Sequence, residues 1–425
     1  MSKRQLKIAV VGLGYVGFPL ALEFAGKGIE VTGIEIDADR LKAIANRSSY
    51  ITDITSMELR AALARGNFKA SADFSDIKEA DAVFICVPTP LKRKNLPDIS
   101  FIKNAVKEVS LHIKKGALVV LESTTYPGTT EEEILPIFQR QGLRHGKDFY
   151  LCFSPERIDP GNKKFPIHRI PKVVGGISPE ATKLAVSVYR IIIKKVIPVS
   201  STACAETVKL LENTFRLINI GLIDELSMMA HKMRIDIWEV IAAAATKPFG
   251  FMPFYPGPGV GGHCIPKDPL YLHWKAKSFG FNSRFIKLAS DIINHMPEYI
   301  LKRIEEALTQ RAKKLKGAKI LVLGVTYKKD VKDLRKSPGI EVIRLLKNRG
   351  AAVSYSDSLI PFLKLDGIDL KSIVLNGKRI REFDCVLIAA DHSLVDYPAL
   401  LKNAKLIFDS RNVFKGLRKE KVERL

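Results

Sequence analysis

The chain has 425 residues, of which 46% are hydrophobic and 27% charged, with a formal net charge of +23. This length exceeds what a single core usually holds, so two or three domains are expected, and the composition excludes a disordered chain. No apolar run approaches a membrane span, and the basic residues are scattered rather than interleaved with aromatics in runs, which favours anionic small ligands over nucleic acid or a membrane.

The chain opens MSKRQLKIAVVGLGYVGFPLALEF. A basic start and an apolar middle imitate a secretion signal. Gly12, Gly14 and Gly17 interrupt the run and Glu23 lies inside it, so it reads as a strand, a tight turn and a helix. EVTGIEID, DAVFICVP and ALVVLEST are further continuous runs rich in Val and Ile. Such runs are characteristic of parallel strands buried on both faces, and the helical patterns between them make βαβ units.

Gly12-Leu13-Gly14-Tyr15-Val16-Gly17 follows the first strand directly and opens a helix. The glycines suit a tight turn, close approach of a pyrophosphate and tight helix-on-strand packing, with free N–H groups at the helix start. Glu35 ends the second strand about twenty residues on, where a carboxylate can hold the ribose hydroxyls and repel a 2′-phosphate, so NAD is the expected cofactor. Arg40 either aids the phosphates or accommodates a 2′-phosphate. The cofactor assignment also takes in Tyr15 and Val16, Pro88 and Thr89 after DAVFICVP, and Thr124.

From about Ala203 the run CAETVKLLENTFRLINIGLIDELSMMAHKM reads as one long helix. Val208, Leu211, Phe215, Ile218 and Leu222 form an apolar stripe at spacings of three and four. Ser201 or Thr202 can cap it, and Glu206 suits its first turn. So much apolar surface also suits a dimer element. A mainly helical region extends to roughly Pro297, and near Gly317 the βαβ pattern returns in AKILVLGVTYKKD, GAAVSYSD, DCVLIAAD and AKLIFDSRN. The expected fold is α/β: two Rossmann-like, doubly wound parallel-sheet domains (1–202 and 301–425) joined by a mainly helical central domain (203–300), with a ligand cleft between them.

Five cysteines (Cys86, Cys152, Cys204, Cys264 and Cys385) are odd in number, scattered and without a CxxC pair, which indicates a reduced, cytoplasmic protein. Cys264 lies in GPGVGGHCIPKDPLYL. No further Cys or His stands at finger-like spacing from His263 and Cys264, so no metal site is expected. A thiol among glycines beside Lys267 and Asp268 reads best as a nucleophile, since a nearby lysine favours the thiolate. Cys204, at a helix start, ranks second. Lys209 and Asn213 share one face of the long helix, continued by Arg216; alone, these residues describe a solvated stripe as readily as a site.

Seven segments together carry a resemblance: GLGYVG, ESTTYPGTTEE, SPERIDPGN, ETVKLLENTF, GGHCIPKDP, SRFIKLASDIINHMP and LGVTYKKDVKDLRKSP. Over essentially its whole length the chain resembles the UDP-glucose/GDP-mannose dehydrogenase family. SPERIDPGN and TKPFGFMPFYPGPGVGGHCIP resemble the branch acting on UDP-N-acetylhexosamines. Lys267 departs from that branch, whose members often carry an aliphatic residue there, and matches the UDP-glucose branch instead.

The resemblance implies oxidation of a sugar CH₂OH to a carboxylate with reduction of two NAD. UDP-N-acetylglucosamine is the expected substrate; UDP-N-acetylmannosamine or UDP-glucose is the alternative. It implies that Cys264 adds to the aldehyde and passes through a thiohemiacetal and a thioester. Lys209 and Asn213 would steady the oxyanion, while Asp268, Thr124 and Glu156 hold water and relay protons. Glu156, Arg157, Lys209, Asn213, Arg284, Lys329, Arg335 and Arg411 would contact the UDP-sugar, Arg284 from a partner subunit, in a homodimer or higher homo-oligomer. A two-electron hydroxyacid dehydrogenase is disfavoured by the third α/β domain and the Cys264 segment.

Overall fold

The structure, a computed structural model, describes residues 6–51, 54–92, 96–158, 165–365, 367–417 and 420–425. The end of the SPERIDPGN motif, 159–162, lies outside the described residues. The chain divides into two compact units: residues 1–212 with 270–282, and residues 213–269 with 283–425.

The first unit is built on strands β1 (Lys7–Val11), β2 (Glu30–Ile34), β3 (Phe68–Ser71), β4 (Ala82–Ile85), β5 (Ala117–Leu121), β6 (Phe149–Phe153), β7 (Lys172–Gly176) and β8 (Val196–Pro198), in the order 3-2-1-4-5-6-7-8. All neighbours are parallel except β6 and β7, which run antiparallel. The four Val- and Ile-rich runs are β1, β2, β4 and β5. The other four strands lack that composition: FKAS is half exposed, FYLCF is aromatic, and KVVGG and VIP are broken by glycine and proline. The helix Gly17–Gly26 buries Phe18, Leu20, Ala21 and Phe24 in the core that includes Ile8, Val10 and Val31. Because β1, β2, β4, β5 and β6 are parallel, their carboxyl ends share one edge. Gly12, Glu35, Pro88, Thr89, Thr124 and Glu156 all follow those ends, where ligands bind in doubly wound sheets.

The second unit carries β9 (Lys319–Leu323), β10 (Ala352–Ser356), β13 (Cys385–Ile388), β14 (Ile407–Asp409) and β15 (Val422–Arg424), all parallel, in the order 10-9-13-14-15. An antiparallel hairpin, β11 (Phe362–Leu365) and β12 (Ile368–Lys371), stands apart. The helix Arg284–Thr309 continues past Pro297, whose missing N–H does not end it.

The long helix spans Thr202–Lys232. Ser201 Oγ accepts the Cys204 N–H and caps it. Its apolar stripe only partly faces the core: Val208 packs on it and Ile218 is half-buried, but Leu211, Phe215 and Leu222 are exposed, while Leu210, Asn213, Thr214, Leu217, Gly221 and Asp224 are buried. At Gly221 a Cβ would stand 3.0 Å from Ala289, so the backbones of the two helices approach closely there. Glu206 serves another helix start rather than its own first turn. Its buried carboxylate accepts the Gly128 and Thr130 N–H groups and the Thr130 hydroxyl. Those amides open the turns that lead into the helix Leu135–Arg140, and they concentrate positive potential where a carboxylate is wanted. Among the described residues no helix is long and apolar enough to cross a membrane, and no group of His, Cys, Asp or Glu could hold a metal ion.

Candidate active site

The turn after β1 has the expected geometry. Gly12 sits at φ +88°, and a Cβ on Gly17 would lie 1.9 Å from the Gly12 carbonyl, so neither position admits a side chain. At Gly14 a Cβ would meet nothing nearer than Arg40 at 3.9 Å, leaving open backbone where a pyrophosphate can approach. Glu35 is buried at the end of β2. One carboxylate oxygen accepts the Leu13 N–H at 3.0 Å and Arg40 Nη1 at 3.0 Å; the other accepts the Ile36 and Asp37 N–H groups. Arg40 is therefore paired with Glu35 rather than left free for a 2′-phosphate. Tyr50 braces the turn by donating to the Leu13 carbonyl and stacking on Phe18. Tyr15 is exposed and Val16 half-buried within the turn. Open backbone at Gly14 beside a fixed carboxylate fits NAD: the turn amides would hold the pyrophosphate and Glu35 a ribose.

On the same edge, Pro88 is exposed while Thr89 is buried and its carbonyl accepts the Tyr271 hydroxyl. Thr124 is half-buried just beyond β5. Its neighbour Ser123, not Thr124, ties the strand ends together by donating to the Ile85 and Val87 carbonyls.

Glu156 belongs to a buried charged cluster of which the sequence indicated only that one member. Lys172 Nζ lies 2.8 Å from Glu122 Oε2 and 3.2 Å from Glu156 Oε2, and the Tyr189 hydroxyl donates to Glu122 Oε1. Burial raises the Glu122 carboxyl to about 7 against the pull of Lys172. For Glu156 burial is outweighed by Lys172 and Lys209, which hold it below the usual carboxylate range. The cluster therefore favours Glu156 as an anion, while the Tyr189 hydroxyl donates to Glu122. The Arg157 and Ile158 N–H groups both donate to Glu156 Oε1, and the Lys209 ammonium donates to the Glu156 main-chain carbonyl. Arg157 itself pairs with Glu212 at 2.6 Å. A lysine in an apolar strand start such as KVVGG carries no motif, and Glu122 is hidden inside ESTTYPGT.

In the second unit, Cys264 is exposed and its carbonyl accepts the Lys267 and Asp268 N–H groups, which places Cys264 in the turn that leads into the helix Asp268–Ser278. Asn213 Nδ2 donates to Asp268 Oδ2 at 2.7 Å. Lys267 is buried, 3.2 Å from His263 Nε2 and 3.9 Å from Asp268 Oδ1. The glycines before the thiol answer to protein rather than to open space. A Cβ on Gly261 would stand 2.5 Å from Tyr327 Cβ and 2.6 Å from the Lys336 carbonyl, and one on Gly262, at φ +82°, 2.8 Å from the Tyr327 ring. The Gly262 N–H donates to the Arg335 carbonyl.

Of the remaining candidates, Arg335 is held bidentately by Asp333 and Lys329 pairs with Asp391 at 3.5 Å. Both lie in residues 326–337, the segment that backs Gly261 and Gly262. Arg411 donates through Nε to the Ala389 carbonyl, and a Cβ on Gly257 would come within 3.0 Å of its guanidinium. Burial lowers Arg411 below its ordinary value. Asp224, fully buried, accepts the Gly257 N–H at 3.1 Å, and burial pushes its carboxyl up to about 8. Arg284 is exposed at the start of its helix.

Three models of one family match the chain: the UDP-glucose/GDP-mannose dehydrogenase NAD binding domain over residues 6–193, its central domain over 203–295 and its UDP binding domain over 321–416. A UDP-N-acetyl-D-glucosamine 6-dehydrogenase of Pseudomonas aeruginosa is 37% identical over 356 residues, 83% of each chain. A UDP-N-acetyl-D-mannosamine dehydrogenase of Pyrococcus horikoshii is 35% identical over 417 residues, 96% of each. A solved structure of a UDP-D-ManNAc dehydrogenase from Pyrococcus horikoshii superposes with a TM-score of 0.89 at 33% identity, covering 99% of each chain.

Proposed function

The chain belongs to the UDP-glucose/GDP-mannose dehydrogenase family as an NAD-dependent UDP-sugar dehydrogenase, and from that premise we propose that it oxidises C6 of a UDP-N-acetylhexosamine, UDP-N-acetylglucosamine first, to the uronate. The observation that carries the reading is the exposed Cys264 in the turn before the helix Asp268–Ser278, with Asp268 held by Asn213. Relatives named for UDP-N-acetylglucosamine and UDP-N-acetylmannosamine support the N-acetylhexosamine class.

NAD supplies the hydride acceptor for both oxidations. Gly12, Gly14 and Gly17 would present the turn amides to its pyrophosphate, and Glu35 with Arg40 its adenosine ribose. An aldehyde has no hydroxyl-bearing carbon to lose hydride until a nucleophile adds. The Cys264 thiolate forms that C–S bond and the aldehyde oxygen takes a proton, giving a thiohemiacetal. Loss of hydride and of the hydroxyl proton leaves a thioester, and water then cleaves the C–S bond to release carboxylate, thiol and proton. Lys209 and Asn213 steady the oxyanion, and Asp268 and Thr124 hold the water and its protons. Glu156, kept anionic and saturated with donors, suits electrostatic positioning better than proton transfer.

Lys329, Arg335 and Arg411 are proposed as contacts to the UDP pyrophosphate, with Arg157 and Arg284 completing the substrate set. The exposed Phe215, Leu222 and Met229 of the long helix support a homodimer. A panel of UDP-N-acetylglucosamine, UDP-N-acetylmannosamine, UDP-N-acetylgalactosamine and UDP-glucose, read as NADH formed, tests the reading. Preference for UDP-glucose would overturn the N-acetylhexosamine class, and preference for UDP-N-acetylmannosamine would change only the C2 configuration.

A further inference from the structure

The two sheets treat their strand-end acids differently. In the first, Glu35 accepts the N–H of Leu13 in the turn after β1. In the second, Asp357 follows β10 and accepts the N–H of Val325 in the turn after β9, at 2.8 Å. Glu35 is offered with Arg40 to a ribose. Asp357 is covered: the imidazole of His392, buried in the loop after β13, brings Nε2 to 3.2 Å from its Oδ2.

The other face of that imidazole meets the segment 326–337. His392 Nδ1 lies 3.0 Å from the backbone N of Asp330, so Nδ1 accepts and Nε2 carries the hydrogen toward Asp357. The next residue completes the clamp: the Ser393 N–H and hydroxyl donate to the two oxygens of the Asp330 carboxylate, at 2.9 and 2.6 Å. Asp330 needs such restraint because it stands at φ +56°, a left-handed conformation costly for a side-chain residue. The clamped segment carries Lys329 on one side of Asp330 and Arg335 beyond it, and its Tyr327, Arg335 and Lys336 pack against Gly261 and Gly262 just before Cys264.

We propose that neutral His392 is a positioning residue for nucleotide-sugar binding, its Nδ1 holding the Asp330 amide so that residues 326–337 present Lys329 and Arg335 and back the Cys264 segment. The inference rests on the reading of Lys329 and Arg335 as pyrophosphate contacts. Protonation at Nδ1 would turn the acceptor into a donor facing another N–H, and the ring would have to exchange the Asp330 amide for the Asp330 carboxylate, 3.5 Å away. The groups facing the ring are Asp357, Asp330 and the Thr326 hydroxyl. The Lys329–Asp391 pair and Tyr397, whose hydroxyl donates to the His392 carbonyl, stand next to it. Burial disfavours the imidazolium, yet Asp357 and Asp330 outweigh it and raise the His392 pKa above its ordinary value.

Two conservative variants separate this role from a merely structural one. The Oδ1 of an asparagine falls where Nδ1 stands and cannot be protonated, whereas a glutamine reaches the Nε2 position instead. UDP binding to the full-length wild-type chain, His392→Asn and His392→Gln is measured by calorimetry between pH 5.5 and 8.5. The titration of UDP, whose terminal phosphate has a second pKa of about 6, is common to all three and cancels in the comparison. The expected result is that His392→Asn binds within about threefold of wild type at pH 8 and tighter than wild type at pH 5.5, while His392→Gln is at least about tenfold weaker at pH 8. Equal UDP affinity for the Gln and Asn variants at pH 8, or a pH dependence in His392→Asn identical to that of wild type, would overturn the inference alone. Failure of the wild-type chain to bind UDP would overturn it together with the nucleotide-sugar reading.

Discussion

Lys172 Nζ lies 3.2 Å from Glu156 Oε2 and 2.8 Å from Glu122 Oε2, one buried ammonium between two buried carboxylates. Removing one partner of such a cluster leaves uncompensated charge in the core, at a cost of about 3–5 kcal/mol. Lys172→Met should therefore lower the denaturant midpoint sharply and slow turnover at least tenfold, because Glu156 then loses a buried counter-charge. Lys172→Met combined with Glu122→Gln removes one carboxylate and should recover part of the stability; no recovery would mean that the charges are not coupled.

Glu35 makes the charge-assisted contacts at the adenosine end of the cofactor turn. Glu35→Ala forfeits interactions of roughly 2–3 kcal/mol, so the KM for NAD should rise about 30- to 100-fold. It also frees Arg40, now paired at 3.0 Å, and the ratio of NADP to NAD efficiency should rise with it. An unchanged ratio, from steady-state kinetics with both cofactors, would place Arg40 outside the ribose site.

Asp224 is fully buried and its carboxyl is raised to about 8 from an ordinary 3.8. A group raised in the folded state contributes stability that is complete below its unfolded pKa and lost as pH rises through the folded one. The wild-type chain should thus lose stability between about pH 4 and 8 relative to Asp224→Asn, which keeps the acceptor for the Gly257 N–H without the charge. Melting temperatures of the two proteins should lie close together near pH 5 and diverge by several degrees at pH 8, with the variant higher. Parallel profiles would show that Asp224 is already ionised at low pH.

Gly262→Ala places a Cβ 2.8 Å from the Tyr327 ring at φ +82°. The backbone conformation alone costs about 1–2 kcal/mol, and the displaced tyrosine should lower turnover further. Tyr327→Ala in the Gly262→Ala background should relieve the clash and restore stability in part, as thermal unfolding would show. If it does not, the backbone angle and not the ring sets the requirement for glycine.

The Val- and Ile-rich strands, the Gly12–Gly17 turn and Glu35 were legible because each combines a composition with a fixed spacing. FYLCF and KVVGG were not, since an aromatic strand and a glycine-ended strand break the expected run, and the antiparallel step between β6 and β7 leaves no local signal at all. The apolar stripe Leu211, Phe215 and Leu222 has helical period but faces outward, because the core side of that helix is given to Asn213, Thr214 and Asp224. Lys172, Glu122, Asp224 and His392 escaped because their meaning lies in partners 16 to 67 residues away in sequence. The glycines before Cys264 were legible as close-approach positions, but the structure sets Tyr327 and the Lys336 carbonyl against them.

The central claim is a four-electron oxidation that passes through Cys264. Its most direct measurement counts NADH against UDP-N-acetylhexosamine consumed, for the wild-type chain and for Cys264→Ser, with the products resolved by mass spectrometry. The account predicts two NADH and one uronate per sugar for the wild type, and arrest of Cys264→Ser after the first oxidation or as a covalent adduct. One NADH per sugar in the wild type, or full uronate formation by Cys264→Ser, would contradict it.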